Sequence, residues 1–443
     1  MNEPAVFNIL DKTTPNDCVH FNGIEDIEHR EIHNLYGQEY NKVAYNSLKN
    51  KYTEKDYRVF VLSRAIYSGS QQFGFHWTGD NSASLIHLKY SLEMLLTLNY
   101  CGITNSGADV GGFFGNPSEN LLAFWFEVGT FYSFFRGHSF IKSIRREPWK
   151  FSRETLERIK NAITLKYNLL IFFYTECFLS NKLGKPRINH YKEIDYLYEI
   201  GNSFILMIND VDDDDKEKEK EEEEKVEKEK EILLSLQINE KELYDFRTGL
   251  ALPKNNKHIF NSISSEADLA NSLNIYILGG RIIPWVEKAL INSEYTIKNP
   301  YSLMIFPDEK GKAEGYMYLD DGKTNNNTTI NDYIFIHYEL KNFKELTAKV
   351  VHHPKLTYNA NNDSIIGSSM VQISYFQNFY ENIYLFGFNL KSFTELKNVD
   401  VLIEGFSIPL SLEYRFEEES NLLLTTELMI KITDNFTLRF NYI

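Results

Sequence analysis

Short apolar stretches alternate with helically spaced apolar residues in the first part of the chain. The predicted strands are Arg58–Ser63, Phe73–Trp77 and Gly102–Thr104, and the predicted helices are Ser84–Asn99, Pro117–Phe131 and Arg153–Phe178. Ser84 is placed to act as an N-cap, because it directly precedes the first apolar turn of its helix. This strand–helix order predicts an α/β region in which helices cover parallel strands.

The second part of the chain has a different pattern, with β-rich stretches separated by Asn, Asp and Gly turns. These stretches are Ile275–Leu278, Tyr301–Phe306, Gly315–Leu319, Tyr333–Tyr338, Ala348–His352, Ser369–Tyr375, Asn382–Gly387, Val399–Ile403, Leu422–Thr426 and Thr437–Phe440. Because no helical pattern lies between them, they predict antiparallel β-sandwiches.

A highly charged run separates the two patterns. From Asp210 to Glu231 there are 14 acidic residues and 6 lysines. Such a run cannot bury enough apolar surface to offset the entropy of ordering it, so it predicts a solvated or disordered insertion. The net charge of the whole chain is −15, which argues against a nucleic-acid partner, since phosphate binding needs clustered Lys and Arg.

The composition bounds the architecture. A chain of 443 residues is longer than the roughly 250–300 residues at which a single core stops growing, so we expect two or more packed units. Its 32 Phe and 28 Tyr supply rings that fill cores or stack on sugars. The apolar run Tyr167–Leu179 contains Glu176 and is too short to span a membrane, so it predicts a buried helix.

The cysteine content and the N-terminus add further expectations. Cys18, Cys101 and Cys177 allow at most one disulfide, and no Cys-x-x-Cys or His-rich spacing suggests a metal site. We expect no cofactor. The opening MNEPAVFNIL lacks the basic segment and apolar stretch of a signal peptide.

Residues suited to catalysis occur where the predicted strands end. Arg64 follows the first strand, Trp77 and Asp80 close the second, Asp109 follows the third, and His138 closes the segment FFRGH. In a (β/α)8 barrel, catalytic groups come from the C-terminal ends of several strands. Glycoside cleavage needs carboxyl groups and aromatic walls, and Asp80 beside Trp77 suits a partly buried acid. A lone Asp after a strand is more often a turn former, so the prediction depends on the whole set.

The motifs that carry these residues resemble glycoside hydrolase family 31. The matching segments are Arg64 with Gly69-Ser70-Gln71, then Trp77-Thr78-Gly79-Asp80-Asn81, Gly107-Ala108-Asp109-Val110-Gly111-Gly112-Phe113-Phe114 and Phe134-Phe135-Arg136-Gly137-His138. The flanking segments His29-Arg30-Glu31-Ile32-His33-Asn34-Leu35-Tyr36-Gly37 and Arg146-Glu147-Pro148-Trp149 are most similar to the catalytic α-subunits of endoplasmic-reticulum glucosidase II.

The resemblance implies roles for seven residues. These are Asp80 as general acid/base, Arg64, Asp109 and His138 as contacts to the glucose hydroxyls, Trp77 and Phe113 as pocket walls, and Met1 as a further substrate-binding residue. It also implies the C-terminal part of a (β/α)8 TIM barrel at residues 1–205. An acidic insertion at 206–232 would follow, then a proximal β-sandwich at 233–325 and a distal β-sandwich at 326–443.

The sequence departs from the family at two places. The family's nucleophile is the aspartate of a Trp-x-Asp-Met-Asn-Glu-Pro segment, and this chain opens with Met1-Asn2-Glu3-Pro4. The aspartate would stand directly before Met1, so we expect an incomplete chain, inactive as the isolated 443 residues. The segment Ile188–Leu197 is shorter than its counterpart in the family, which leaves closure of the barrel open there.

Three functions remain open from the sequence. The favoured one is a retaining α-glucosidase that trims α-linked glucose from N-linked glycans in the endoplasmic-reticulum lumen, with a non-catalytic β-subunit as partner. A starch- or maltose-type α-glucosidase and an inactive pseudoenzyme that binds carbohydrate are the alternatives. Lumenal location is compatible with the Asn-x-Ser/Thr sequons at Asn326, Asn327, Asn362 and Asn435.

Overall fold

The computed structural model describes residues 2–52, 57–191, 197–208, 242–252, 273–324, 333–352, 357–359, 364–366, 380–386, 396–404, 410–417, 422–425, 430–431 and 434–442. Some expectations lie outside these ranges, namely those for Met1, the run Asp210–Glu231, the strand Ser369–Tyr375 and the sequons at Asn326, Asn327 and Asn362. The chain divides into two compact units. The first comprises residues 1–117, 131–145 and 323–325, and the second comprises residues 118–130, 146–322 and 326–443.

The first unit contains two long helices and seven short strands. They are β1 (Val19–Phe21), β2 (Asp26–Glu28), α1 (His29–Lys51), β3 (Leu62–Ser63), β4 (Phe75–Trp77), α2 (Leu85–Tyr100), β5 (Ser106–Gly107), β6 (Asp109–Val110) and β7 (Arg136–Gly137). Strands β3, β4 and β5 are parallel neighbours in that order, and β6 pairs in parallel with β7. The predicted parallel α/β region is confirmed.

Helix α2 begins as the sequence predicts but ends in a way that moves the next strand. The Ser84 hydroxyl accepts a hydrogen bond from the His87 amide at 3.4 Å, so it is the N-cap. At the other end, the Gly102 amide donates to Asn99 O at 2.9 Å and the Ile103 amide donates to Leu98 O at 2.8 Å. This paired capping pattern, with Gly102 at φ +80, closes the helix. The predicted strand Gly102–Thr104 is therefore wrong, because those residues serve the helix cap and pairing begins at Ser106.

Among its described residues, the second unit begins with three helices and has a short fourth helix later in the chain. They are α3 (Glu119–Gly129), α4 (Arg153–Asn168), α5 (Leu170–Leu183) and the short α6 (Ser293–Thr296). The single predicted helix Arg153–Phe178 is wrong, because α4 and α5 meet at Leu169 with a bend of 52°. Asn168 explains the break. Its backbone carbonyl accepts from the Val286 amide at 2.9 Å, and its side chain donates to the Val286 and Glu287 carbonyls, so these groups are tied to a strand end rather than to the next helical turn.

Helix α5 contains the apolar run that the sequence predicts as a buried helix. Ile171, Phe172 and Phe173 are 2%, 4% and 5% exposed, which confirms that prediction for the start of the run. Across the described ranges, no single helix has the length and apolar character needed to cross a membrane, although α4 and α5 taken together meet the criteria as a bent pair.

A five-stranded antiparallel sheet follows α5. Its strands are β8 (Ile188–His190), β9 (Leu197–Ile200), β10 (Phe204–Met207), β11 (Leu243–Asp245) and β12 (Asn274–Leu278), in the spatial order β11-β12-β10-β9-β8. Every residue of β10 is buried, as expected for a central strand whose apolar run shows no alternation.

The remaining strands form an eleven-stranded sheet and a separate hairpin. They are β13 (Arg281–Trp285), β14 (Tyr301–Phe306), β15 (Ala313–Leu319), β16 (Ile334–Lys341), β17 (Glu345–His352), β18 (Thr357–Asn359), β19 (Ser364–Ile366), β20 (Tyr380–Leu385), β21 (Leu396–Ile403), β22 (Leu410–Leu412), β23 (Tyr414–Glu417), β24 (Leu422–Thr425) and β25 (Phe436–Tyr442). The large sheet has the order β22-β21-β25-β17-β16-β15-β13-β14-β20-β24-β23, and β18 pairs with β19.

The large sheet is mostly antiparallel, as predicted, but it contains two parallel contacts, β13 with β15 and β14 with β20. Strand β16 alternates buried and half-buried residues, and its buried face joins a core that includes Met317, Leu346 and Leu438. The parallel strands of the first unit and the mostly antiparallel sheets of the second agree with the predicted fold class, the C-terminal part of a (β/α)8 TIM barrel followed by antiparallel β-sandwich domains. The domain limits stay predictions. β10 spans residue 205, and β15 and β16 pair on either side of residue 325.

Candidate active site

The first unit brings the strand-end residues together. Arg64 follows β3, Asp80 lies three residues after β4, Asp109 opens β6, and His138 follows β7. In the β3-β4-β5 sheet, Ser63 is aligned with His76, and Trp77 is aligned with Gly107. Because parallel strands in register end at one edge, the loops that carry the side chains converge there, as in a barrel active site.

A carboxylate–guanidinium–carboxylate chain joins the N-terminal segment to the loop after β4. The Arg64 Nε donates to Glu3 Oε1 at 2.6 Å, and the Arg64 Nη1 lies 3.5 Å from Asp80 Oδ1. The Asp80 side chain is 33% exposed, which leaves its carboxyl group accessible. Asn2, whose amide donates to Gly37 O and Ser63 Oγ at 2.7 and 2.6 Å, anchors the segment that places Glu3.

Asp109 lies deeper than the other acidic residues of the site. It is 0% exposed, and its Oδ1 accepts from Arg136 Nη2 at 2.6 Å. Its Oδ2 is buried and has no hydrogen-bond partner among the described residues. Burial raises the pKa of Asp109 above its ordinary value; the hydrogen bond and charge of Arg136 and the charge of His138 oppose the rise, and the Asp80 charge adds to it.

Aromatic rings flank these charges. The Arg136 guanidinium lies 5.2 Å from the ring centroid of Trp77 and 5.2 Å from that of Phe134, within cation–π range. Trp77 is 7% exposed, and its Nε1 is buried without a hydrogen-bond partner in the described part of the chain. On the other side, the Phe113 ring lies 5.3 Å from the His138 ring. Trp77 thus lies beside Arg136, the partner of Asp109, and Phe113 lies beside His138.

Asn81 ties the loops that carry Asp80, Asp109 and Phe113. Its side-chain Nδ2 donates to Asp109 O at 3.1 Å, and its Oδ1 accepts from the Phe113 amide at 2.8 Å. The Asn81 backbone carbonyl also accepts from the Phe113 and Phe114 amides, each at 2.8 Å. A side chain that is 8% exposed and bonded at both ends of its amide fixes the spacing between loops.

Two glycines allow the loops to approach so closely. A Cβ on Gly107 would lie 1.9 Å from Phe134 O, where β5 meets the chain leading to β7. A Cβ on Gly112, whose φ is +78, would lie 2.3 Å from Ala83 N. Both positions therefore exclude any side chain, which accounts for the first and last glycines of GADVGGFF in physical terms.

His76 supports the strand that carries Arg64. It is 0% exposed, and its ring nitrogens lie 3.1 Å from Ser63 O and 3.4 Å from Ser70 O. Burial lowers the pKa of His76, although hydrogen bonds to the Ser70 and Ser63 carbonyls oppose the change. The ring lies between the two carbonyls and so links β3 to the 3₁₀ turn at Ser70–Gln72.

The structure thus groups six of the seven predicted site residues, since Met1 lies outside the described ranges. Sequence reasoning missed the roles of Glu3, Asn81 and Arg136 in holding them. Asn81 adjoins Asp80, Glu3 stands two positions after Met1, and Arg136 stands two positions before His138 in FFRGH. Their contacts form only when strand pairing brings the loops together, so no sequence pattern predicts those contacts.

Within the described ranges, no group of three or more His, Cys, Asp or Glu side chains could hold a metal ion.

Comparison with known proteins matches the same region. Residues 1–176 match the model of the glycosyl hydrolases family 31 TIM-barrel domain. A protein of Oryza sativa subsp. japonica described as "Probable glucan 1,3-alpha-glucosidase" is 36% identical over 330 residues, which cover 73% of this chain and 34% of the relative. Residues 1–176 of the chain thus belong to glycoside hydrolase family 31.

Solved structures extend the family 31 likeness over the whole chain. The catalytic subunit of ER glucosidase II, solved with the binding domain of its regulatory subunit, aligns with a TM-score of 0.81 and 27% identity over 100% of this chain and 45% of that one. A glucosidase II alpha subunit in a Glc1Man2-bound form aligns with a TM-score of 0.80 and 26% identity over 100% of this chain and 46% of that one. The chain spans about a third of the length of the curated relatives it matches.

Proposed function

We propose that this family 31 chain is part of a retaining α-glucosidase that removes terminal α-linked glucose from N-linked glycans. The observation that carries the proposal is the accessible Asp80 carboxyl at a strand end, held beside Arg64 and linked through Asn81 to the buried Asp109. A general acid needs access to the leaving oxygen, and hydroxyl-binding groups need a fixed frame.

In this proposal Asp80 protonates the glycosidic oxygen as the bond breaks and then removes a proton from the attacking water. Retention requires a second carboxylate as nucleophile, about 5–5.5 Å from the first. By family resemblance that group belongs to the Trp-x-Asp-Met-Asn-Glu-Pro segment, of which Met1-Asn2-Glu3-Pro4 is the last part. The chain spans about a third of the length of the curated relatives it matches, so tests of activity use the full-length protein that contains it.

The sugar-binding roles in this proposal come from the family resemblance. Arg64, Asp109 and His138 contact glucose hydroxyls, Trp77 and Phe113 form the walls, and Met1, which lies outside the described residues, is a further substrate-binding residue. The buried Asp109 Oδ2 supports this assignment, because it has no hydrogen-bond partner among the described residues. Leaving such a group unsatisfied costs about 1–3 kcal/mol, and a sugar hydroxyl would satisfy it.

The glycan substrate, the endoplasmic-reticulum location and a non-catalytic β-subunit belong to the same proposal. They are supported by the likeness to a glucosidase II alpha subunit in a Glc1Man2-bound form and to a catalytic subunit solved with the binding domain of a regulatory subunit. The starch- or maltose-type alternative shares the chemistry and differs in the sugar beyond the cleaved bond.

Replacing the acid tests the chemistry. With Asp80→Asn, we expect kcat/KM for an α-glucoside with a poor leaving group to fall by about 10²–10⁴-fold, the range for general acid catalysis. An aryl glucoside with a good leaving group needs less protonation and should lose less in the bond-breaking step. Steady-state kinetics on both substrates measure this, with Asp17→Asn, an exposed carboxylate, as the matched control.

The Asp80→Asn kinetics, a comparison of two substrates and a binding measurement together separate the three functions. Equal losses on both substrates, or none, would exclude Asp80 as the acid. Faster cleavage of maltose than of a glucosylated high-mannose glycan would favour the starch-type enzyme. Glycan binding by calorimetry without hydrolysis would favour the carbohydrate-binding pseudoenzyme.

A further inference from the structure

Arg136 contacts two walls of the candidate site at once. Its Nη2 donates to Asp109 Oδ1 at 2.6 Å, and its guanidinium lies 5.2 Å from the Trp77 ring centroid. The second contact places a cation over the indole face. The two contacts join β7 to β6 and to the end of β4, so one side chain spans three of the elements that build the site.

The geometry around Arg136 favours an indirect role. Its side chain is 29% exposed, and its Nε is buried without a hydrogen-bond partner in the described ranges. The guanidinium is flanked on a second side by the Phe134 ring at 5.2 Å. A planar group between two rings and a carboxylate is held in one orientation, and it transmits that orientation to the carboxylate.

We propose that Arg136 is a positioning residue that fixes the Asp109 carboxylate and the Trp77 ring together, so that one side chain aligns the hydrogen-bonding and aromatic walls of the glucose pocket. The inference rests on the proposed α-glucosidase function and deepens it. Lysine would keep the charge but not the planar fork or the stacking surface, so Arg136 should not be replaceable by Lys.

A second consequence concerns protonation of Asp109. The charged groups that face it are Arg136 from β7, His138 after β7 and Asp80 after β4. Burial and Asp80 raise the pKa of Asp109, and Arg136 and His138 lower it. Removing Arg136 therefore raises the Asp109 pKa further, and the carboxylate becomes neutral at a higher pH. If ionised Asp109 binds a hydroxyl, activity on the acid side of the profile is lost earlier.

The test uses Arg136→Gln, Arg136→Lys, Asp109→Asn and the double variant Asp109→Asn/Arg136→Gln in the full-length protein. We expect kcat/KM for an aryl α-glucoside to fall about 100-fold in each single variant, the scale for loss of one fixed polar contact. The kcat/KM of the double variant should be no lower than that of the less active of the single variants Asp109→Asn and Arg136→Gln. The acid limb of the kcat/KM profile should move to higher pH in Arg136→Gln and be unaffected by Arg136 in the Asp109→Asn background.

Arg30→Gln is the matched control, because Arg30 is an exposed ion-pair residue of the same unit, paired with Glu28 at 2.6 Å and 57% exposed. It should leave kcat/KM and the acid limb unchanged. Thermal unfolding of every variant checks the fold, and Arg136→Lys carries the test if Arg136→Gln does not fold.

Multiplicative losses in the double variant, an unmoved acid limb in Arg136→Gln, or near-full activity in Arg136→Lys would each overturn the positioning role. A wild-type protein that hydrolyses no α-glucoside would defeat the proposed function instead. In that case, binding of a gluco-configured iminosugar by the same variants over the same pH range decides the role of Arg136.

Discussion

Two aspartates, one in each unit, are almost equally buried and yet have different surroundings. Asp109 is 0% exposed and Asp320 is 1% exposed. Asp320 Oδ1 accepts from the Tyr174 hydroxyl at 2.6 Å and the Gly322 amide at 2.8 Å, and its Oδ2 accepts from the Tyr318 hydroxyl at 2.8 Å. Both of its oxygens are therefore hydrogen-bonded within the fold.

Asp109 has one oxygen paired with Arg136, and the other has no partner among the described residues. A buried carboxylate that serves only the fold gains by satisfying both oxygens, as Asp320 does. A carboxylate that binds a ligand must keep acceptor capacity in reserve. The difference indicates that incomplete hydrogen bonding, rather than burial alone, separates Asp109, which we propose binds a ligand, from an aspartate that stabilises the fold.

The largest expected effect comes from Asp109→Asn. The amide keeps the shape but loses the charge that pairs with Arg136 and an acceptor oxygen for a glucose hydroxyl. We expect kcat/KM for an α-glucoside to fall by about 10²–10³-fold, the cost of one preorganised polar contact, with little change in stability. Steady-state kinetics and urea unfolding measure the two quantities.

A substrate series sharpens this result. If Asp109 binds one hydroxyl, the glucoside that lacks this hydroxyl should be a poor substrate for the wild type. Its kcat/KM should then fall little further in Asp109→Asn. Loss of stability by several kcal/mol with unchanged kcat/KM would reverse the comparison and make Asp109 the structural residue.

The second prediction is the converse. Asp320→Asn places an amide donor against a shell of hydroxyl and amide donors, so at least one buried donor loses its acceptor. We expect a loss of about 2–3 kcal/mol in the free energy of unfolding and an unchanged kcat/KM for the folded fraction. Urea unfolding and steady-state kinetics of Asp320→Asn and Asp109→Asn side by side measure both quantities. Equal losses of kcat/KM in the two variants would contradict the prediction.

The sequence could not separate the two aspartates. Asp109 lies in GADVGGFF and Asp320 in LDDG, and both follow a β-rich stretch and precede glycine. What marked Asp109 was its place in a series of motifs resembling one family. The pairing of its Oδ1 with Arg136 depends on the alignment of β6 with β7, two-residue strands too short to show any periodicity.

Longer elements were easier to predict, and their errors have local causes. Helix α2 and strand β14 follow their apolar patterns closely, since packing decides such positions. The break between α4 and α5 depends on Asn168 bonding to Val286, 118 positions later in the chain. No local pattern contains that contact. The site was likewise predictable as a set of residues at strand ends, but not as the network through Asn81 and Arg136.

The smallest expected effect sharpens the comparison by making Asp320 more like Asp109. Tyr318→Phe removes the hydroxyl that donates to Asp320 Oδ2 and keeps the buried ring, which stacks on Phe178 at 4.0 Å. We expect a loss of about 1 kcal/mol in unfolding free energy, the net worth of one buried hydrogen bond. Tyr316→Phe is the control, since that hydroxyl, on the same strand, donates to the exposed Glu314 at 2.7 Å and should matter by no more than about 0.5 kcal/mol. Equal urea midpoints for the two variants would mean that Asp320 does not need its full shell, and the contrast with Asp109 would no longer follow from hydrogen bonding.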